Sequence, residues 1–427
     1  LGGGLIVFVL TAVQYISMFL TQVLLAREID PEYFGEFAFC LIIVTFTANI
    51  FNTHGDKYLI KSEGDIQNKM NTIFSVEILA ILTFGIPIIL MVPTLMSLLK
   101  KPNQIIYVQV LMLLVFHTPF SKIKGLFERE LFFFKARFPV MLSNILGGII
   151  AISMAFEGYE IWSLIIWKIS VNFIEVIILY IISPYRPKFT FEFLYFKEIS
   201  SYGLPILGAS LVSLVHLNFG YYLIDNLLGV RQLGYYWFAY QVTNHFLIIK
   251  TAINSVLFPI FSRIKNDSKK NKAFKLITQI TGSLYLILAI IVLFWGELLI
   301  TSILGINWLP SVVPFQLSFV LLLIKGIGGS SGPLLYSAGQ TNADLFLSIV
   351  NLLLMIPFVL IGTIYFGIVG TVLANIVATT LLGVIGFEKF IRPITSNGFN
   401  FYFNDHLIAL GFSIIIFIVG NYFAVNN

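Results

Sequence analysis

Residues 72–99 read TIFSVEILAILTFGIPIILMVPTLMSLL, with Glu77 as the one charged side chain. A helix of about 20 apolar residues crosses about 30 Å of hydrocarbon, so this stretch is long enough to span a bilayer. It lacks the polar and apolar alternation of a membrane β-strand, and a helix satisfies its own backbone hydrogen bonds. The stretch is therefore predicted to be a transmembrane helix, with Glu77 near one end reaching toward the membrane edge.

Similar runs recur along the whole chain, which is 58% hydrophobic and only 11% charged. A soluble domain is nearer one quarter charged. The sequence thus predicts an all-α polytopic membrane protein with about 13 spans of this kind. We place them near 5–26, 37–60, 72–99, 104–120, 138–156, 161–183, 202–224, 237–261, 276–295, 311–336, 344–365, 367–387 and 405–424.

The positively charged residues predict the orientation. Loops after even-numbered spans hold 19 of the 26 Lys and Arg residues, and loops after odd-numbered spans hold four. Because positive charge marks the cytoplasmic side, we expect a cytoplasmic N-terminus.

The chain has the pattern of a duplication. Gly35 and Gly234 each follow an odd-numbered span and precede aromatic residues, and the turn at Gly158 matches the turn at Gly367. An even number of spans per copy predicts two six-helix lobes related by a pseudo-two-fold axis along the membrane normal. The predicted N-lobe is 1–199, the C-lobe is 200–387, and 388–427 holds an extra span. The alternative is that such glycine–aromatic turns recur in any helical membrane protein.

Lys250 is the clearest candidate site residue, because it lies about halfway along the predicted span 237–261 and a mid-membrane charge is costly. His245 and Asn254 lie on the same span. A cation in a wet cavity would suit an anionic cargo such as a phosphate. The alternative is a purely structural ion pair with another helix.

Lys325 is the second candidate, and it precedes Gly326–Pro333, GIGGSSGP, which should break or kink its helix. Interrupted helices in transporters expose backbone groups to a cavity. Equally, the small residues could serve only close helix packing.

Five further residues are candidates for coupling or gating. Lys168 and Glu175, seven residues apart, lie on one helix face but too far apart to pair directly, so a structural ion pair with another helix is the favoured role. A proton-linked gate and a solvated helix end remain open for His54 and Asp56. His216 is more often a core histidine than a ligand.

The sequence contains no Ser/His/Asp triad, zinc-ligand spacing or phosphate-binding glycine loop, so we expect a non-enzyme without metal or cofactor. Its single cysteine, Cys40, excludes an intrachain disulfide.

The loop Arg27–Phe37, REIDPEYFGEF, resembles the segment after the first helix of polysaccharide flippases in the multidrug/oligosaccharidyl-lipid/polysaccharide (MOP) exporter superfamily. Short matching pieces follow in order over essentially the whole chain. They include Glu128–Glu130, Glu157–Trp162, Arg186-Pro187, Leu228–Tyr235, Phe258–Arg263 and Gly305–Trp308.

The resemblance implies two six-helix lobes in a MATE-like V around a central cavity, working by alternating access. It implies a cargo of polyprenyl-diphosphate-linked oligosaccharide, moved across a bacterial plasma membrane for surface polysaccharide biosynthesis. Membrane lipids and polysaccharide polymerase machinery are the expected partners.

Two other functions stay open. A MATE-like cation-coupled small-molecule antiporter would need acids in its cavity, whereas the mid-membrane charges here are mainly lysines. A membrane-embedded polysaccharide polymerase or glycosyltransferase would use sizeable outer loops, and those predicted here are short.

Overall fold

The computed structural model describes residues 2–264, 266–328, 331–338, 340, 342–395, 397, 406 and 411. Within these ranges the regular structure is entirely helical. Ten segments of the described residues are long and apolar enough to cross a membrane. The fold class predicted from the sequence, an all-α polytopic membrane protein, is confirmed. The count of 13 spans and the symmetry of the lobes stay predictions, and the predicted span 405–424 lies almost wholly outside the described residues.

The chain forms two compact units, Leu1–Asn218 and Phe219–Asn427, and the division falls within one long helix. The helices of the first unit are α1 Gly2–Glu28, α2 Pro31–Ile50, α3 Gly55–Lys61, α4 Ile66–Ala80, α5 Ile86–Leu98, α6 Ile105–Leu111, α7 Thr118–Ser121, α8 Ile123–Arg129, α9 Phe133–Phe156, α10 Ile161–Ile182 and the start of α11 Phe193–Leu228.

The second unit contains the end of α11. Its further helices are α12 Val230–His245, α13 Ile248–Arg263, α14 Asp267–Leu304, α15 Val312–Ile327, α16 Ser331–Ser337, α17 Asn342–Gly386 and α18 Arg392–Thr395. The predicted lobe boundaries, 1–199 and 200–387, stay a prediction.

Several spans need correction. The predicted span 37–60 is α2 and the separate short helix α3, because the chain leaves the helical path at residues 51–54. The predicted span 237–261 is likewise two helices, α12 and α13, interrupted at residues 246–247.

Two predicted turns are present where the sequence places them. Gly158 (φ +82°) separates α9 from α10, and Gly367 (φ +61°) interrupts α17. A side chain is strained at these angles, which explains why glycine occupies both positions. α15 ends at Ile327 and α16 begins at Ser331. Residues 329 and 330 lie outside the described residues, so the break predicted after Lys325 stays a prediction.

In unit 1, helices α3, α4 and α8 pack around a small hydrophobic core. The core includes Leu59 of α3, Ile73 of α4 and Phe127 of α8, which are all buried. In contrast, Leu90 and Leu98 of α5 are more than two-thirds exposed, at 71% and 76%. Large apolar side chains facing outward are expected where lipid rather than water is the solvent.

Gly326 of α15 packs against the fully buried ring of Tyr285 from α14. A Cβ atom at Gly326 would overlap the ring, whereas a Cβ atom at Gly328 would meet no other residue in the described part of the chain. The glycine therefore sets how closely α14 and α15 approach.

We expect Gly326→Ala to destabilise the protein by about 1–3 kcal/mol, because the added methyl group forces apart two packed helices. Gly328→Ala is the matched control and should leave stability unchanged or raise it, since alanine is the better helix former. The midpoint of thermal unfolding in detergent, followed by tryptophan fluorescence, measures both. Equal midpoints for the two variants would contradict the packing role.

Candidate functional site

Unit 2 holds Lys325 next to a cluster of tyrosines. The Lys325 ammonium donates a hydrogen bond to the Tyr240 hydroxyl at 3.0 Å and lies 5.1 Å from the centre of that ring. Tyr236 stacks on Tyr240 with an interplanar angle of 10°, and Tyr221 meets both rings edge-on. Among the described residues, the cation is therefore held by a phenol hydroxyl and an aromatic ring rather than by a carboxylate.

Lys250 lies at the break between α12 and α13. Its backbone N–H donates to the Tyr285 hydroxyl at 3.1 Å, and that hydroxyl donates to the Phe246 carbonyl, also at 3.1 Å. In an unbroken helix the Lys250 N–H would bond directly to the Phe246 carbonyl, four residues earlier. The hydroxyl of Tyr285 is thus inserted into the helical ladder, which is a recognised cause of a kink.

The structure brings these two lysines near each other, within range of mutual electrostatic repulsion. Among the described residues neither has a carboxylate within ion-pairing distance. His245 and Asn254 are half-buried, at the end of α12 and one turn after Lys250 on α13. This part of unit 2 is positively charged and well suited to an anion.

Unit 1 contains a buried ion-pair cluster at the break between α2 and α3. Lys122 is 3% exposed and lies 3.6 Å from Glu77 and 3.8 Å from Asp56, and it donates to the Asn52 side-chain oxygen at 2.6 Å. Glu77, with no exposed surface, accepts the backbone N–H of Thr53 at 2.8 Å and its hydroxyl at 2.6 Å. The expectation that Glu77 reaches the membrane edge is wrong, because these donors hold it inside the unit.

A cavity of about 160 Å³ lies beside this cluster. Its polar lining comes from Asn52, Thr53, Glu77 and Ser200, and the rest is mainly apolar side chains of α2, α4 and α11. Gly203 of α11 permits the close approach, since a Cβ atom there would collide with the Thr53 carbonyl.

His54 begins α3 in a left-handed conformation (φ +53°) and is buried. Its backbone N–H donates to the Asn52 side chain at 2.8 Å, and its ring lies 3.4 Å from the Ser210 hydroxyl. Burial and the positive charges of Lys122 and Lys57 lower the pKa of His54 below its ordinary value. The structure thus joins the candidates His54 and Asp56 through Lys122, and their coupling role stays a prediction.

A second network lies close by. Tyr58 of α3 donates to Glu198 of α11, and Lys69 of α4 lies 3.6 Å from the same carboxylate. Arg129 of α8 donates to the Ser62 carbonyl at 2.6 Å at the end of α3. These contacts fix α3 between α4, α8 and α11.

The remaining candidates lie apart from both clusters. Lys168 and Glu175 are half-buried on α10, and the structural ion pair predicted for them is not found among the described residues. The Cα atoms of Lys168 and Glu175 are about 10 Å apart along the helix axis, because a helix rises about 1.5 Å per residue. His216 is half-buried on α11. Within the described ranges, no three His, Cys, Asp or Glu residues are placed to hold a metal.

Sequence reasoning missed Lys122, Thr53 and the structural role of Glu77. By its sequence context, Lys122 is a lysine in a loop between two spans. Its partners Glu77 and Asn52 lie 45 and 70 residues earlier in the sequence. The one available signal was Glu77 itself, a single acid in a long apolar run.

Comparison with known proteins gives both family and fold matches. The family model for "Polysaccharide biosynthesis protein" matches residues 24–313. The succinoglycan biosynthesis transport protein ExoT of Rhizobium meliloti (strain 1021) is 26% identical over 270 residues, which is 62% of this chain and 54% of ExoT. The lipopolysaccharide biosynthesis protein WzxC of Escherichia coli (strain K12) is 20% identical over 51% of this chain and 45% of WzxC. The chain thus spans about half the length of these curated relatives.

Solved structures share the fold. The inward closed conformation of the lipid II flippase MurJ superposes with a TM-score of 0.65 at 15% identity, over 98% of this chain and 99% of that one. An inward-facing MATE family multidrug transporter of the MOP superfamily superposes with a TM-score of 0.62 at 16% identity, over 91% and 94% of the two chains. At these identities the likeness establishes the fold alone.

We expect Tyr285→Phe to lower stability by about 1–3 kcal/mol, because it takes the acceptor from the Lys250 N–H and removes one of the donors to the Phe246 carbonyl, which also accepts the Ile249 N–H. Hydrogen exchange at residues 246–250 should accelerate at the same time. Tyr222→Phe is the control, since that side chain is 45% exposed. If Tyr285→Phe exchanges no faster than the control over residues 246–250, the hydroxyl does not hold the break.

Proposed function

The chain belongs to the polysaccharide biosynthesis protein family, and from this membership we propose that it moves polyprenyl-diphosphate-linked oligosaccharide across a membrane. The family resemblance seen in the sequence is thereby confirmed. A transport function rather than catalysis agrees with the names of the similar proteins. ExoT is named a transport protein, and MurJ, whose fold this chain shares, is named a lipid II flippase. Movement by alternating access is part of the proposal.

The observation that carries the proposal is the pair of lysines in unit 2. Lys325 is bound to the Tyr240 hydroxyl, and Lys250 lies at a helix break, with no carboxylate within ion-pairing distance of either among the described residues. A diphosphate needs this kind of environment, because its charge cannot enter hydrocarbon without compensation. The tyrosines leave the lysine charge available, whereas a carboxylate would neutralise it.

The same observation favours the flippase over a small-molecule cation antiporter. A cationic substrate would be repelled by Lys250 and Lys325 and would require acids in their place. We further propose that Asn254 and His245 offer polar contacts to the same cargo.

For the setting, we propose a bacterial plasma membrane with the N-terminus on the cytoplasmic side, as the Lys and Arg distribution favours. Polysaccharide polymerase machinery is a possible partner for the product on the far side. The two six-helix lobes predicted from the sequence remain part of this proposal.

The test is the leaflet distribution of polyprenyl-diphosphate-linked oligosaccharide in cells that depend on this protein. We expect Lys250→Gln and Lys325→Gln each to reduce delivery to the outer leaflet by about 10- to 100-fold. This factor corresponds to the loss of one charge-assisted hydrogen bond, which contributes about 1.5–3 kcal/mol. Glycolipid should accumulate on the inner face.

Lys269→Gln is the matched control, because it removes the same charge from an exposed position on α14. It should transport normally, and all three variants should reach the membrane in equal amounts. If glycolipid reaches the outer leaflet normally without the protein and only its polymerisation fails, the flippase proposal is wrong.

A further inference from the structure

The two carboxylate oxygens of Glu77 have unequal environments. Oε1 accepts the Thr53 N–H at 2.8 Å and the Thr53 hydroxyl at 2.6 Å, and it lies 3.6 Å from the Lys122 ammonium. Oε2 is buried and has no hydrogen-bond partner among the residues that the structure describes. Glu77 also lines the cavity beside α11.

This asymmetry fits a carboxylic acid better than a carboxylate. A protonated carboxyl group has one oxygen that only accepts and one that carries a proton and donates. Oε1 has the donors that an acceptor needs. A carboxylate would leave half of a buried negative charge on Oε2 without any donor, which is costly in a medium of low dielectric constant.

The charges around Glu77 lead to the same conclusion. The groups that face it are Lys122, which follows α7, and Asp56 of α3, with His54 next to them. Lys57, whose charge acts on His54, is exposed to solvent. With His54 neutral, Glu77, Asp56 and Lys122 therefore carry a net charge of −1. The α11 residues that line the cavity, among them Phe196, Ser200 and Gly203, bring no titratable group. One bound proton makes the cluster neutral.

We propose that Glu77 is a proton-exchange site of unit 1, which takes up and releases its proton at Oε2 through the adjoining cavity. On release, the O–H bond of Glu77 breaks, the proton passes to water, and Lys122 compensates the carboxylate that remains. That carboxylate then requires a donor for Oε2. Ser200 supplies the hydroxyl group among the α11 residues that line the cavity, so the protonation state of Glu77 would affect how α11 packs against residues 51–54.

A role in coupling transport to a proton gradient rests on the proposed function, whereas proton binding itself does not. The test is therefore a measurement on the purified protein without any glycolipid. Infrared difference spectra across a pH titration detect the carbonyl band of a protonated carboxyl group and its loss on ionisation.

We expect a wild-type band that titrates, that Glu77→Gln abolishes and that Glu63→Gln retains, since Glu63 is an exposed acid near the same cluster. The amide oxygen of Glu77→Gln can accept the same two hydrogen bonds from Thr53, so this variant should fold. A band that persists unchanged in Glu77→Gln, or a wild type without any such band, overturns the proposal.

Lys122→Met gives a second measurement, with Glu77 still present. Removal of the cation disfavours the carboxylate, so the band should titrate at a higher pH than in the wild type. An unchanged titration would show that the ionising group is not next to Lys122 and would overturn the proposal. Because glycolipid is absent from both experiments, failure of the flippase assay does not change either outcome.

Discussion

Hydrocarbon offers a charged side chain neither water nor counterions, and the two units of this protein meet that constraint differently. Unit 1 pairs Lys122 with Glu77 and Asp56 around a break in the backbone. Unit 2 places Lys325 against the hydroxyl of Tyr240. Paired charges hold unit 1 together, whereas the cation in unit 2 keeps its affinity for an anion. This difference is the basis for the two proposed sites, a proton site in unit 1 and an anion site in unit 2.

The backbone is subject to the same constraint. Where a helix is interrupted, its freed N–H and C=O groups need partners from elsewhere in the protein. Glu77 accepts the N–H of Thr53 after α2 ends, and the Tyr285 hydroxyl joins the Lys250 N–H to the Phe246 carbonyl between α12 and α13. Each break is thus stabilised by one side chain from a neighbouring helix, and each lies beside a functional candidate. A change in either side chain would alter the local geometry of its break.

The sequence predicts what depends on local composition and misses what depends on distant partners. Apolar runs identify the helices around 5–26, 138–156 and 161–183, because membrane length and hydropathy are properties of one segment. Glycine marks the turn at Gly367, because its backbone angles exclude other residues. The sequence at residues 246–247 contains no proline or glycine that would predict the break, because its cause is Tyr285 on another helix. Glu77 was misjudged for the same reason, as its partners Thr53 and Lys122 come from other parts of unit 1.

We propose that the lysines of unit 2 recognise a diphosphate, which can be measured as lipid binding to the purified protein. Native mass spectrometry can compare polyprenyl diphosphate with the uncharged polyprenol of the same chain length, for the wild type and for the Lys250→Gln, Lys325→Gln double variant. The wild type should prefer the diphosphate by at least about tenfold, the equivalent of one charge-assisted contact, and the double variant should lose this preference. Equal binding of both lipids by the wild type, or an unchanged preference in the double variant, would contradict the proposal.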